Sequence, residues 1–256
     1  MTADFWLYAA VGFLAQIIDG ALGMAYGVIS TTVLLSFGVS PANASAAVHA
    51  AKVFTGAASG ASHIYHRNVD FRLLGLLAAG GVIGGVLGAY VLTSIDGKVV
   101  KPYVVGWLFL MGLVILHRAW RQAPPRVFSW RMPFPLGLIG GFMDAIGGGG
   151  WGPVVTSSLM GAGAEPRKAI GSTNAAEVFM AAATSAAFLV ALLSGHWETQ
   201  GLRGLAWSLA GLIGGGIIAA PVAGYVTKVL PLRALTWVVG VLVTALATWQ
   251  AVDLLT

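Results

Sequence analysis

Two carboxylates stand inside apolar sequence, each followed closely by glycines: Asp19 in "IDGALGMAYG" (18–27) and Asp144 in "MDAIGGGGWG" (143–152). An ionisable side chain in such surroundings is costly, and it normally faces a partner, a wet cavity or a transported ion. Glycine loosens a helix, and a helix broken in apolar surroundings must satisfy its freed backbone groups inside the protein or beside water. The N–H groups that open the half-helix after each break therefore form a donor set suited to an anion. In the first half these belong to Gly23, Met24, Tyr26 and Gly27, and in the second to Gly149, Gly150, Trp151 and Gly152. The acid beside each break then titrates, or holds a cation. The structural alternative is that these glycines only let helices approach closely.

The next segments, "NASAAVHAAKVF" (43–54) and "KAIGSTNAAEVF" (168–179), add polar residues at helical spacing. His49 and Lys52 share one helix face, one turn apart, and Asn174 and Glu177 occupy the matching positions. Pro41 to Lys52 is about 16 Å of helix at 1.5 Å per residue, close to the middle of a bilayer. Two readings of Lys52 follow, and they are not exclusive. It contacts an anionic substrate together with His49 and Asn174, or it forms an ion pair with Glu177 that holds the two segments together. Hydroxyls gather beside the breaks, but serine and threonine in apolar helices more often bond their own backbone. Thr31 and Thr156 alone occupy matching positions, which makes them secondary candidates.

The elements that must carry these residues follow from composition. Hydrophobic residues make up 57% of the 256-residue chain and charged residues 9%, against about 25% charged in a soluble domain. Apolar segments of bilayer-spanning length follow one another from end to end. The expectation is an all-α polytopic membrane protein with no soluble domain between spans. There are no cysteines, so disulfides and thiolate metal sites are excluded. The first lysine or arginine is Lys52, so a cleaved signal peptide is not expected. The basic pI of about 9.7 reflects arginines in loops rather than a nucleic-acid surface.

The chain is one unit written twice. Adding 125 to Gly12, Asp19, Gly23, Gly27, Pro41, Val53 and Phe54 reaches Gly137, Asp144, Gly148, Gly152, Pro166, Val178 and Phe179. The repeats are expected over 1–118 and 134–256, joined by a basic linker at 119–133 that contains a Pro-Pro pair. Each repeat reads as a glycine-interrupted segment (5–37, 134–160) followed by three spans (43–64, 71–93 and 99–118; 167–193, 203–226 and 232–252).

The distribution of basic residues selects between two topologies. If all eight segments cross, Arg67, Arg72, Arg118, Arg121, Arg126, Arg131 and Arg203 lie on the linker side. Lys98, Lys101, Arg167, Lys168, Lys228 and Arg233 then lie opposite, a near-even split. If the interrupted segments are re-entrant hairpins, Arg167, Lys168, Lys228 and Arg233 join the linker side and only Arg203 leaves it. The re-entrant arrangement is favoured. It leaves three crossings per repeat, an odd number, so the repeats are expected to be inverted, as in alternating-access carriers. Both termini are then periplasmic and the linker cytoplasmic.

Glycine-rich "GGVIGGVLGAY" (80–90) and "GLIGGGIIAAPVAGY" (211–225) lack the lysine or acid of a nucleotide loop and read as helix-packing stripes. Trp6, Trp107, Trp120, Trp130, Trp197 and Trp249 read as interfacial anchors near span ends. His49 is the one deep histidine, and no triad or metal cluster is evident, so an intramembrane enzyme is the weakest alternative.

With these residues in view, the chain resembles the TauE/SafE sulfite exporter family. The likeness lies in the duplicated layout over nearly the whole chain, in "DGALGMAYG", "GGFMDAIGGGGWGP" and "AIGSTNAAE". The resemblance implies secondary transport, in the direction of export, of sulfite or a small organosulfonate such as sulfoacetate across the bacterial inner membrane. The expected binding residues are Lys52, His49, Asn174 and the N–H groups of the two breaks. Asp19, Asp144 and Glu177 are expected to carry coupling protons, or sodium, or to shape the site. No cofactor is expected. A passive anion channel on the same scaffold is the rival, and a homo-oligomer is compatible with either.

Overall fold

Proline and glycine punctuate the described residues into ten α-helices and a π-helical turn. The computed structural model describes the backbone of residues 2–120, 128–197, 202–229 and 232–255. Side chains 2–4, 202–205, 222–229, 232 and 235 lie outside the description, and so do Arg121 and Arg126 of the expected linker. The first repeat contains α1 (Thr2–Leu22), α2 (Tyr26–Ser36), α3 (Pro41–Tyr65), α4 (Phe71–Thr93) and α5 (Gly97–Trp120). The second contains α6 (Pro133–Gly147), a π-helical turn (Trp151–Thr156) that runs into α7 (Ser157–Gly161), then α8 (Pro166–Leu193), α9 (Leu202–Val229) and α10 (Leu232–Asp253). Among the described residues there is no strand.

Local chemistry explains the boundaries. Pro41, Pro133 and Pro166 each open a helix, where the missing N–H is not needed and the fixed φ is already helical. Asp70 caps α4 by accepting from the N–H groups of Arg72 (2.9 Å) and Leu73 (3.1 Å). Both predicted breaks are present and lie at equivalent residues. Gly23 (φ +66°) ends α1 and Gly148 (φ +64°) ends α6, in the left-handed region that glycine enters without a Cβ penalty.

Packing pairs each interrupted segment with the opposite repeat. Gly211 and Gly215 of α9 abut the backbone at Phe5 and Ala9 of α1, so these helices run parallel. In the equivalent pair, Gly80, Gly84 and Gly88 of α4 abut Phe134, Leu138 and Phe142 of α6, again parallel. Small residues permit this close backbone approach. Two pairs of equivalent helices meet each other directly. In α3 and α8, Gly56 faces Val178 and Gly60 faces Ala175, so the two run antiparallel. In α5 and α10, Gly112 faces Thr244 and Gly240 faces Leu116, also antiparallel.

The chain reverses at the first break. The Tyr8 and Phe37 rings, one early in α1 and one just after α2, meet edge-on with centroids 6.2 Å apart. Five described helical stretches are long and apolar enough to cross a membrane: Phe5–Leu22, Phe71–Thr93, Gly97–Trp120, Pro166–Leu193 and Thr236–Asp253. Large apolar side chains such as Tyr65, Phe71, Leu193 and Ile218 face outward, where a water-soluble protein would carry charge.

One sequence expectation is corrected. Trp107 is not an interfacial anchor, because it lies midway along α5 with its ring against Gly147 and Gly150 and its Nε1 buried. Those glycines leave a hollow that the indole fills.

Candidate functional site

The two breaks meet in the interior and lock onto each other. Thr31 Oγ1 donates to the Gly148 carbonyl (2.8 Å), and Thr156 Oγ1 donates to the Gly23 carbonyl (2.7 Å). These are the same interaction made twice, since both partners are related by the repeat. Gly152 lies against Met24, and Gly149 against Val28. Any side chain at these glycines would meet backbone.

Each acid turns back onto its own break. Asp19 Oδ1 accepts the N–H of Tyr26 (3.1 Å). Asp144 Oδ1 accepts the N–H groups of Gly150 (2.6 Å) and Trp151 (2.9 Å). The donors expected to face an anion at Tyr26, Gly150 and Trp151 are thus engaged by carboxylates in this conformation. That is the preference of a helix N-terminus for negative charge, met internally. The two large side chains that follow anchor the half-helices: Tyr26 Oη donates to Leu212 O (3.2 Å), and Trp151 Nε1 to Thr173 O (3.1 Å).

Lys52 joins the repeats. Its Nζ lies 2.8 Å from Asp144 Oδ2 and 2.9 Å from Glu177 Oε1, and all three side chains are buried. The sequence pointed to Glu177 as a partner. Asp144 is the additional one, brought from another helix of the second repeat. Such a buried triad persists only with good geometry and with its remaining lone pairs satisfied. Gly27 makes room for it, because a Cβ there would stand 2.7 Å from Lys52 Nζ and 2.5 Å from the Gly148 carbonyl.

His49 completes the arrangement on the same face of α3. Its Nδ1 lies 2.8 Å from the Ser45 carbonyl, which only accepts, so the ring proton belongs on Nδ1. Nε2 then faces Asp144 Oδ2 at 3.0 Å, poorly aligned for a hydrogen bond. A bare nitrogen lone pair against a carboxylate is repulsive. The matching residue, Asn174, returns its Nδ2 to the Ile170 carbonyl (3.1 Å). It bonds four residues back along α8, as His49 does along α3.

The candidate residues named from sequence lie on the two breaks or on the stretches of α3 and α8 beside them. Sequence reasoning missed Ser45, whose Oγ donates to the Ala145 carbonyl (2.5 Å) and lies 3.3 Å from His49 Nδ1. The signal was there: Ser45, His49 and Lys52 recur on one helix face.

The profile of the sulfite exporter TauE/SafE family matches residues 8–250. A probable membrane transporter protein of Bacillus subtilis (strain 168), YtnM, is 44% identical over 229 residues, covering 87% of this chain and 74% of that protein. No solved structure matches the chain. The paired breaks, the spanning helices and this match over nearly the whole length agree: the chain belongs to the TauE/SafE sulfite exporter family of membrane transporters.

Proposed function

We propose that this protein is a secondary carrier that exports a small sulfur-containing anion, sulfite or an organosulfonate such as sulfoacetate, across the bacterial inner membrane by alternating access. The observation that carries the reading is the Lys52–Asp144–Glu177 triad, a buried cation shared between two repeats where two broken helices meet. Carrier sites lie at such junctions. The antiparallel courses of the equivalent pairs α3/α8 and α5/α10 support inverted repeats. The Tyr8–Phe37 contact supports a re-entrant first hairpin, which returns to the side it entered from.

The charges suggest how substrate and proton bind together. With Asp19, Asp144 and Glu177 ionised, the site repels an anion despite Lys52. Protonating a carboxylate that holds Lys52 frees the ammonium for the substrate. Substrate release returns Lys52 to both acids. The triad's burial between the breaks favours a carrier with an occluded state over a passive channel, which needs a continuous wet path. The test is flux into proteoliposomes with sulfite, sulfate, thiosulfate and sulfoacetate under imposed pH gradients. Saturable, pH-driven flux of one sulfur anion with counterflow is expected. Unsaturable flux indifferent to the pH gradient would sink the carrier reading.

A further inference from the structure

Lys52 is held by two carboxylates, so an arriving anion must meet its first free cation elsewhere. Arg118, in the last turn of α5, is partly buried and has no carboxylate at ion-pair distance among the described residues. Its guanidinium reaches both interrupted segments. Nη1 donates to Ser157 Oγ of α7 (2.9 Å) and lies 3.2 Å from the Met24 sulfur, while Nη2 lies 3.4 Å from the Met160 sulfur. A guanidinium offers five donors in a rigid fork, and thioether sulfur is a weak acceptor. A charged oxyanion is a far stronger partner and matches the fork with two oxygens at once. A second cation stands near: Arg233 Nε donates to the carbonyl of the adjacent Ala119 (2.9 Å).

We propose that Arg118 is an entry site for the transported oxyanion, on the linker side of the protein and beneath the two breaks. This rests on the carrier reading above. The anion displaces the methionine sulfurs, is held by two parallel N–H bonds, and passes to Lys52 once a carboxylate there is protonated. Met24 belongs to the first break, and Ser157 and Met160 follow the second. An anion at Arg118 therefore removes contacts from both repeats at once, which couples its arrival to loosening of the closed breaks.

The test is thermal stabilisation of the full-length protein in detergent, titrated separately with sulfite, sulfate and sulfoacetate. In wild type at least one anion gives saturable stabilisation. Arg118→Met is expected to raise the half-saturating concentration tenfold or more, and Arg118→Lys to raise it less, since it keeps the charge but not the fork. A purely structural Arg118 would lower the melting temperature of the unliganded protein and leave the titration midpoint unchanged, which overturns the proposal. If Arg118→Met does not purify folded, Arg118→Lys decides: a several-fold weaker midpoint supports the site, and an unchanged midpoint removes it. A wild type that responds to none of the three anions removes the carrier reading and the entry site with it, a failure distinct from an unchanged midpoint.

Discussion

The hydroxyl of Thr31 donates to the carbonyl of Gly148 across the interface between repeats, and the repeat-related Thr156 donates to Gly23 in return. Each bond satisfies a carbonyl that a helix break has freed in a buried place. Thr31→Val and Thr156→Val keep the shape and remove the donor, stranding that carbonyl. Each is expected to destabilise the protein by ~1–3 kcal/mol, read as thermal stability in detergent. Because the two bonds brace one junction, the double substitution should depart from additivity. Wild-type stability in both single variants would show that the bonds do not hold the breaks together.

Lys52→Met fills the alkyl volume but leaves Asp144 and Glu177 facing each other without a cation. The expected loss is ~3–5 kcal/mol. Adding Glu177→Gln removes one stranded charge, and Asp144 still has the Gly150 and Trp151 N–H groups. The double variant should therefore recover much of the stability while failing to bind sulfite. Normal sulfite binding in the double variant would reduce Lys52 to a structural role.

The two acids are matched by the repeat but differ in their surroundings, so their amides should behave differently. Asp144→Asn keeps one oxygen for the backbone donors but turns its NH2 toward the Lys52 ammonium, donor against donor, and leaves that cation with Glu177 as its one carboxylate partner among the described residues. It should destabilise strongly, by ~3–5 kcal/mol. Asp19→Asn can keep its single bond to Tyr26 and should change stability by under about 1 kcal/mol. That makes Asp19→Asn the cleaner probe of proton coupling. Unchanged flux rate and pH dependence in this variant would remove Asp19 from the transport cycle.

Gly27→Ala places a methyl against Lys52 Nζ and the Gly148 carbonyl, which must shift the triad or part the breaks. Transport should fall at least tenfold, and stability by ~1–3 kcal/mol as for other overpacked sites. Gly106→Ala, in α5 with open space around it, is the control and should be neutral or slightly stabilising. Equal flux in the two variants would show that the fit at Gly27 is unimportant.

Sidedness is accessible because the chain contains no cysteine. Single cysteines at Asp96 and His196 should react with an impermeant thiol reagent from outside, and those at Arg126 and Gly163 from the cytoplasm. Ser94 Oγ and His196 Nε2 lie 2.9 Å apart, so the first two positions should share a face. Labelling of position 163 from outside, with 126 protected, contradicts the inverted-repeat proposal.

Where the helices begin, break and repeat could be read from residues alone, because those features depend on neighbours a few positions away. Pro41 and Pro166 open helices wherever they stand in such a pattern, and Gly23 and Gly148 relieve a backbone strain that is purely local. The duplicated register also made Lys52 and Glu177 visible as counterparts. The pairing of Lys52 with Asp144, 92 residues away, was not visible. It depends on α3 crossing α8 antiparallel at Gly60 and on the second break lying against Gly27, and such distances arise from helix packing that no local pattern encodes. The same holds for the break donors. Sequence showed that N–H groups would be freed, but only the three-dimensional path of each break turns Asp19 and Asp144 back to occupy them. Trp107 fits the same account: its type suggested a membrane interface, and the hollow left by Gly147 and Gly150 at the second break drew it inside.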